Sequence, residues 1–473
     1  MGPTMTEGKE WKLILFFTLP IIAGNLLQQL YSTVDGIIVG NIVGENALAA
    51  VGTTNPLTML FIAIAMGMST GASIAVSQLF GAQQLDEMRK CVSTSIIIHV
   101  ALGLFFAVLG IVGGRWMLSA ILGVQDYLLD EATVYIRIYS IGLVFQFIYN
   151  IVSSILRSLG DSKATLVFLI ISSVANVVLD LFAVIVLKWG VAGVAWATVA
   201  AQGLSCVISV VYMYRKHPVV KMQFESEKVY YDKGMAALIF KIGLPVVVQQ
   251  CVVSFGHIFT QRVINAFDVT AGYTAGIRVE NFIVAPITGF FLGMSTFTGQ
   301  NLGAQKLDRV KRGLKSALLM VTIFVAIIGV VVFVLAPQLI HMFNVTEVFN
   351  VDIGVTYLRW VAVGFILFGW YMTFNGVLQG AGDVGFTLIN SFTGLALKTI
   401  AIYLIAFLTP VGIDCLWWCQ VASWLYSLIL AAVRYKMGPW KKKGVVAAES
   451  ESAEAAPPAE EESEFDKIGR AHV

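Results

Sequence analysis

Charge is what this sequence has least of. Only 13% of its 473 residues are Asp, Glu, Lys or Arg, while 58% are hydrophobic. Soluble domains carry about a quarter charged residues, so the balance excludes an ordinary soluble fold and points to the bilayer. Cysteine is scarce as well. Cys91, Cys206, Cys251, Cys415 and Cys419 fall mostly in apolar segments and read as small buried hydrophobes, not as a disulfide framework or a metal site. Two catalytic signatures are missing: without Gly-x-x-x-x-Gly-Lys-Ser/Thr nothing cradles ATP phosphates, and without His-Glu-x-x-His an intramembrane metalloprotease lacks its constellation. Gly-x-Ser-x-Gly occurs once, as GMSTG at 67–71, but inside a long apolar run and not at the strand-to-helix turn that a nucleophilic serine needs, so a hydrolase reading has no support from it. No cleavable signal is expected before the first apolar run, and no motif supports nucleic-acid binding.

What is abundant is long apolar runs. Twelve stretches approach the roughly 20 residues that a helix needs to cross hydrocarbon, where only helices and closed barrels satisfy their own backbone. They lie near 13–39, 55–79, 93–113, 132–156, 164–187, 191–214, 236–261, 271–298, 314–335, 354–378, 384–408 and 412–433. The expected fold class is an all-α membrane protein of twelve transmembrane helices. Lys and Arg gather in alternate loops: Arg89 and Lys90, Arg157 and Lys163, a central cluster over 215–241, Lys306 to Lys315, and Arg434 to Lys443. The positive-inside rule therefore places both termini in the cytoplasm, and the expected localisation is a cell (inner) membrane, crossed many times. These basic loops are expected to touch anionic membrane lipids. The end of the chain, "AAESESAEAAPPAEEESEFD", is expected to be disordered.

The chain repeats itself. "SQLFGAQQLDEMRK" (77–90) aligns with "GQNLGAQKLDRVKR" (299–312) at an offset of 222. At the same offset "ILRSLGDSKAT" (155–165) meets "VLQGAGDVGFT" (377–387), and Gly190 and Trp196 meet Gly412 and Trp418. The expected organisation is an N-lobe of six helices (10–214), a basic cytoplasmic linker (215–235), a C-lobe of six helices (236–438) and an acidic tail (439–473). An even number of spans makes the repeats parallel, related by a pseudo-two-fold axis along the membrane normal, with a central cleft between them.

Carboxylates inside spans are the exceptions to explain. In "QQLYSTVDGIIVG" (28–40), Asp35 completes a stripe with Asn25, Gln28 and Ser32 at helical spacing; in span 5, Ser172, Asn176 and Asp180 are spaced by four. An ionised Asp at mid-bilayer costs roughly 3 kcal/mol on insertion scales and needs a partner, a cation or a proton. Two such acids flanked by amide and hydroxyl oxygens suit Na⁺ ligation or proton sharing; the alternative is that they are packing polars satisfied by neighbouring backbone. At the repeat offset Asn176 maps to Lys398 and Asp180 to Ile402, and from the Pro20/Pro245 pair Asp35 maps to Thr260. The architecture is doubled and the acids are not.

Two six-span halves, the loops QLFGAQQLD and QNLGAQKLD, and Arg157, Gly160 and Asp161 after span 4 resemble multidrug and toxic compound extrusion (MATE) transporters over residues 10 to 438. The resemblance implies a secondary active transporter, not an enzyme, that exports amphipathic or cationic small molecules by antiport with H⁺ or Na⁺. It implies no cofactor beyond that ion, which in the sodium case is held as a metal by Asp35 and Asp180. In the DinF-like branch the ion site combines a span-1 Asp with a span-5 Asn-x-x-x-Asp, matched here by Asp35, Asn176 and Asp180. A span-6 Thr of that site matches Thr198, and a span-1 helix-bend proline matches Pro20. The acidic residues of a NorM-like C-terminal site have no match in spans 7 and 10.

Gln28, Tyr31, Ser32, Tyr149, Asn150, Gln250, Ser254 and His257 are candidates for lining a substrate cavity, with interhelical packing as the plainer alternative. In the C-lobe, Arg278, Glu280 and Lys398 are charged positions in apolar spans; Glu280 needs a partner, with Arg262 and Lys398 in view, and an additional proton site is the sharper reading. The expected protein is a monomer that binds no nucleic acid. The competing readings are a flippase of the same superfamily for a lipid-linked precursor, which would want more cationic residues, and a membrane enzyme or receptor without ion coupling.

Overall fold

The structure is a computed structural model, described over residues 4–221, 230–267, 269–343 and 347–444. Twelve long helices follow in order: α1 (Glu10–Ile38), α2 (Glu45–Gly81), α3 (Leu85–Trp116), α4 (Asp126–Ser158), α5 (Ser162–Leu181), α6 (Gly190–Lys216), α7 (Lys233–Ala266), α8 (Thr270–Gly303), α9 (Leu307–His341), α10 (Val348–Gly380), α11 (Val384–Leu408) and α12 (Cys415–Met437). All twelve are long and apolar enough to cross a membrane, and no strand occurs among the described residues. Most helices outrun their apolar stretches. α2 begins at Glu45, well before the expected 55, because "ENALAAVGTT" forms helix readily but carries too little hydrophobicity to register as a span.

One departure concerns the end of the C-lobe. The expected tail from 439 onward begins packed: Pro439–Lys442 makes a short 3₁₀ turn, and Trp440 is buried, stacks on Tyr435 and donates to its carbonyl at 2.9 Å. Residues 222–229 of the linker and 445–473 of the tail lie outside the described residues.

Packing follows the repeat. In the N-lobe α4 is the hub, against α2, α3 and α6, while α1 pairs with α5 and α5 with α6; in the C-lobe α10 takes the place of α4, and α7, α11 and α12 repeat α1, α5 and α6. Between lobes α1 packs on α8, its repeat mate α7 packs on α2, and α2 meets α8 across the pseudo-axis. Backbone conformation obeys the same offset. Left-handed φ values occur at Gly160 (90°) and Gly382 (87°), and even the non-glycines Gln83 (61°) and Gln305 (57°) form a pair. A left-handed residue costs little for glycine but about 1 kcal/mol or more for glutamine, so its repetition marks an inherited turn.

The duplicated Gln-x-x-Gly motif closes the lobes on the face that carries the basic loops. Gln78 of α2 donates to the carbonyl of Gly380 at 2.8 Å, and Gln300 of α8 donates to the carbonyl of Ser158 at 2.7 Å. Donors and acceptors are both 222 apart, so the two bonds are one bond used twice, each crossing from lobe to lobe. Gly81 and Gly303 let the helices touch: a Cβ on Gly81 would overlap the Gln300 carbonyl oxygen, and one on Gly303 the Gln78 carbonyl oxygen. The N-terminal segment straps the seam. Met5 N–H donates to Gln300 Oε1 (2.8 Å), Asn301 donates to the Met5 carbonyl (3.1 Å), and Arg312 pairs with Glu10 (2.9 Å). Further across the membrane, Asn25 of α1 donates to the Ala285 carbonyl of α8 at 2.9 Å.

Asp161 shows how one motif serves two ends. Its carboxylate caps α5 by accepting from the Ala164 N–H (3.1 Å) and also accepts from Tyr212 (2.9 Å) and His217 (3.0 Å). Burial alone would push this carboxyl up, but those hydrogen bonds outweigh it and hold Asp161 below the usual carboxylate range. Its repeat mate Asp383 is held instead by both nitrogens of an Arg434 fork, at 2.7 and 3.2 Å.

Gly303→Ala should drive the lobes apart on the basic face. Spin labels placed on either lobe there should report longer distances than in the unsubstituted protein, and an unchanged distribution would contradict the close packing. Asp161→Asn should cost about 1 kcal/mol at neutral pH. Because the folded-state titration is depressed, Asp161 stabilises the fold above the unfolded value near 3.9 and loses that effect as pH falls through the folded value. Thermal unfolding of both proteins should therefore converge on acidification.

Candidate ion-binding site

Asp35 lies near the end of α1 and Asp180 near the end of α5, and both helices then pass into π turns, Val39–Val43 and Phe182–Val186. Such widened turns interrupt the regular ladder and are common at functional sites. Because α1 and α5 pack side by side, the two carboxyl groups come into hydrogen-bond contact. Asp180 is fully buried and Asn176 is 2% exposed, so this face of α5 points into the lobe. Asp35 is half-buried, and its Oδ1 is enclosed.

Three more side chains complete the cluster. The orientation of the Asn176 amide that satisfies both of its ends puts the nitrogen 2.7 Å from Asp180 Oδ2 and 2.9 Å from the Tyr31 hydroxyl, with the oxygen 3.3 Å from the Thr198 N–H. Tyr31, on the same face of α1 as Asp35, also reaches the Thr198 side chain. The Thr198 hydroxyl itself donates to the Val194 carbonyl of α6 at 3.0 Å. The structure thus brings Asp35, Asn176, Asp180 and Thr198 together from three helices and adds Tyr31, which the sequence suggested for a substrate cavity. Tyr135 and Tyr139 of α4, stacked with ring centres 5.9 Å apart, stand close enough to interact electrostatically with Tyr31. Neither was legible as a site residue, because no periodicity on α4 says which of its tyrosines faces α1.

The chemistry of the cluster is set by one shortage. Among the described residues, Asp35 Oδ1 and Asp180 Oδ1 are buried without a hydrogen-bond partner. Two full negative charges 4 Å apart would repel by roughly 4 kcal/mol even at an effective dielectric constant of about 20. A contacting pair in this setting needs one positive charge, either a proton between the carboxyls or a small cation. The donor set, two carboxyls with phenol, amide and hydroxyl oxygens, suits a hard ion and no soft metal. No group of three His, Cys, Asp or Glu side chains that could hold a metal occurs among the described residues.

Other expected positions are placed differently. α1 continues through Pro20, which leaves the Phe16 carbonyl without its i+4 donor. Gln28 lies one turn before Tyr31 on α1. Tyr149 stands beside Ser153, Asn150 donates to the Gln146 carbonyl (2.8 Å), and Ser254 to the Gln250 carbonyl (3.1 Å), the last two bonds lying within single helices. The side chains of Ser32 and His257 lie outside the described residues. In the C-lobe, Glu280 accepts from Tyr357 of α10, Lys398 shares a cavity with it, and Arg278 lies 5.9 Å from the Phe343 ring centre. The partner that Glu280 takes is a tyrosine, which charge-matching along the sequence had no means of selecting.

The family model described as MatE matches residues 20–182 and again 245–404, one match in each lobe. The probable multidrug resistance protein YpnP of Bacillus subtilis (strain 168) is 27% identical over 441 residues, covering 92% of this chain and 97% of the relative. YoeA of the same organism, likewise a probable multidrug resistance protein, is 27% identical over 460 residues, covering 94% and 98%. Among solved structures, an outward-facing multidrug resistance MATE transporter of the MOP superfamily superposes with a TM-score of 0.86 at 23% identity, covering 93% of this chain and 98% of that one.

Asn176→Leu should strip Asp180 Oδ2 and Tyr31 of their shared partner and cost about 2 kcal/mol in unfolding experiments in lipid nanodiscs. Thr198→Val, whose hydroxyl bonds its own helix, should cost less. Equal losses would contradict the bonding pattern described above.

Proposed function

The chain belongs to the MatE family, and from that premise we propose that it is a secondary active exporter, not an enzyme, driving amphipathic or cationic drugs outward against entry of H⁺ or Na⁺. The observation that carries this reading is the contact between Asp35 and Asp180 inside one lobe, with one bare oxygen on each. A pair that needs one positive charge is stable when loaded and costly when empty, and that difference is what an ion gradient can drive. Direct contact between the carboxyls favours a proton in this arrangement. Sodium would require the carboxyls to part and admit it between them. The pairing of Asp35 with Asn176 and Asp180 is also what aligns the chain with the DinF-like branch.

The coupling reads as follows. Lobes sealed on the basic face by Gln78, Gln300 and the N-terminal strap correspond to a cleft facing outward, with that face in the cytoplasm, in a multi-pass chain acting as a monomer. Loading the acid pair lets α1 move against α5, and the missing hydrogen bond at Pro20 is where α1 yields. α1 slides on the small-residue face of α8, where Gly289 faces Ile22 and Gly293 faces Thr18, and drug held between the lobes is expelled. Release of the ion on the other face resets the cycle.

Proteoliposomes test this. Ethidium efflux driven by an inward pH gradient, and separately by an inward Na⁺ gradient, should fall at least 100-fold in Asp35→Asn while tetraphenylphosphonium still binds at equilibrium. Undiminished gradient-driven efflux in Asp35→Asn would sink the proposal.

A further inference from the structure

Several cations on the basic face have an acid at hand. Lys90 and Lys311 pair with Glu87 and Asp308 at 2.8 Å, and Arg434 pairs with Asp383 at 2.7 Å. Lys12, Lys163 and Lys216 have no acidic partner among the described residues, and all three line one cavity of about 580 Å³. Three helices bring them there: Lys12 stands in the first turn of α1, Lys163 in the first turn of α5, and Lys216 ends α6. Lys12 lies 5.5 Å from the Trp11 ring centre, a contact that leaves its charge in place. Asp161 shares the lining, but its carboxylate already accepts from Ala164, Tyr212 and His217. Three ammonium groups therefore stand against one carboxylate that is already engaged.

The rest of the wall is apolar, made by Leu13, Phe16 and Phe17. It continues into the membrane. On α1, Lys12, Phe16 and Leu19 share one outer face at helical spacing, with Phe16 62% and Leu19 47% exposed. On α5, Lys163, Val167 and Ile170 repeat that spacing, with Val167 50% and Ile170 42% exposed. α1 packs beside α5, and both lysines line the same cavity, so the two stripes start together. Each runs from a cation at the membrane boundary to apolar side chains beneath it.

A soluble anion would use the lysines and nothing below them. A lipid uses both parts, because its charged head and its acyl chains are arranged in the same order as the stripes. Basic pockets between membrane helices on the cytoplasmic side take phosphate-bearing headgroups, and the volume falls within the range of small-ligand sites. We propose that this cavity seats one anionic phospholipid of the leaflet on the basic face. Its phosphate lies among Lys12, Lys163 and Lys216, and its chains lie along Phe16 and Leu19 of α1 and Val167 and Ile170 of α5. The basic loops predict only diffuse attraction to anionic lipid over the whole face; this is a discrete site, and it goes beyond the transport reading. The occupant bridges α1, α5 and α6, the helices that also carry the acid pair.

Native mass spectrometry of the purified full chain tests the site without any gradient, so its result stands apart from ion coupling through Asp35. Phosphatidylglycerol and phosphatidylcholine with identical acyl chains are titrated separately. The first phosphatidylglycerol should bind roughly tenfold more tightly than the first phosphatidylcholine. Lys12→Gln, Lys163→Gln and Lys216→Gln combined should abolish that preference, and the corresponding triple Lys→Arg protein should keep it. Lys221→Gln, Lys233→Gln and Lys241→Gln combined remove the same charge elsewhere on the face and should leave it intact. Equal losses in the two glutamine variants would mean diffuse attraction and overturn the proposal, as would an unsubstituted protein that shows no preference. Millimolar glycerol 3-phosphate should fail to displace phosphatidylglycerol; complete displacement would mark a site for soluble phosphates and overturn the lipid assignment.

Discussion

The proposed function depends on one electrostatic constraint: two carboxyl groups touch inside a lobe that offers them too few hydrogen-bond donors. Water would dissipate their repulsion, and lipid-facing helices cannot. The cluster of Tyr31, Asn176 and Thr198 reduces the shortage without removing it. A single positive charge is the missing component, and in the proposed cycle supplying or removing it changes the energy of the α1–α5 contact.

Around that constraint stands a duplicated scaffold. The cross-lobe bonds from Gln78 and Gln300, and the paired turns at Gly160 and Gly382, repeat at one offset because both lobes descend from the same unit. A two-fold axis along the membrane normal makes the lobes equivalent while leaving the two faces distinct, so any difference between the lobes has to come from features that break it. Three features do. The acid pair has Lys398 and Ile402 opposite its span-5 members, the N-terminal strap exists once, and Asp161 caps a helix where Asp383 grips an arginine.

Much of this was legible in the sequence. Twelve apolar runs gave twelve helices, and the repeat at 222 gave the lobes; polar stripes with 3–4 spacing marked Asp35, Asn176 and Asp180 before any packing was known. What stayed hidden depends on which helix faces meet. Tyr31 joins the acids because α1 lies on α5 and α6 follows, Tyr135 and Tyr139 because α4 stands behind, and Tyr357 finds Glu280 because α10 crosses α8. The glutamines of the repeated loop motif were recognisable as a repeat, but only contact between lobes shows them exchanging bonds. Helix ends were underestimated for a related reason: hydropathy detects the hydrocarbon core and not the turns that continue beyond it.

The central claim is that Asp35 and Asp180 form one site and not two. The most direct measurement is the number of protons, or sodium ions, bound per purified transporter, for Asp35→Asn, Asp180→Asn and the doubly substituted protein against the unsubstituted one. The account predicts that either single substitution removes as much coupled-ion binding as both together, since neither carboxyl holds the charge alone. Two partial losses that add up in the double variant would mean two independent acids, and the account would fail.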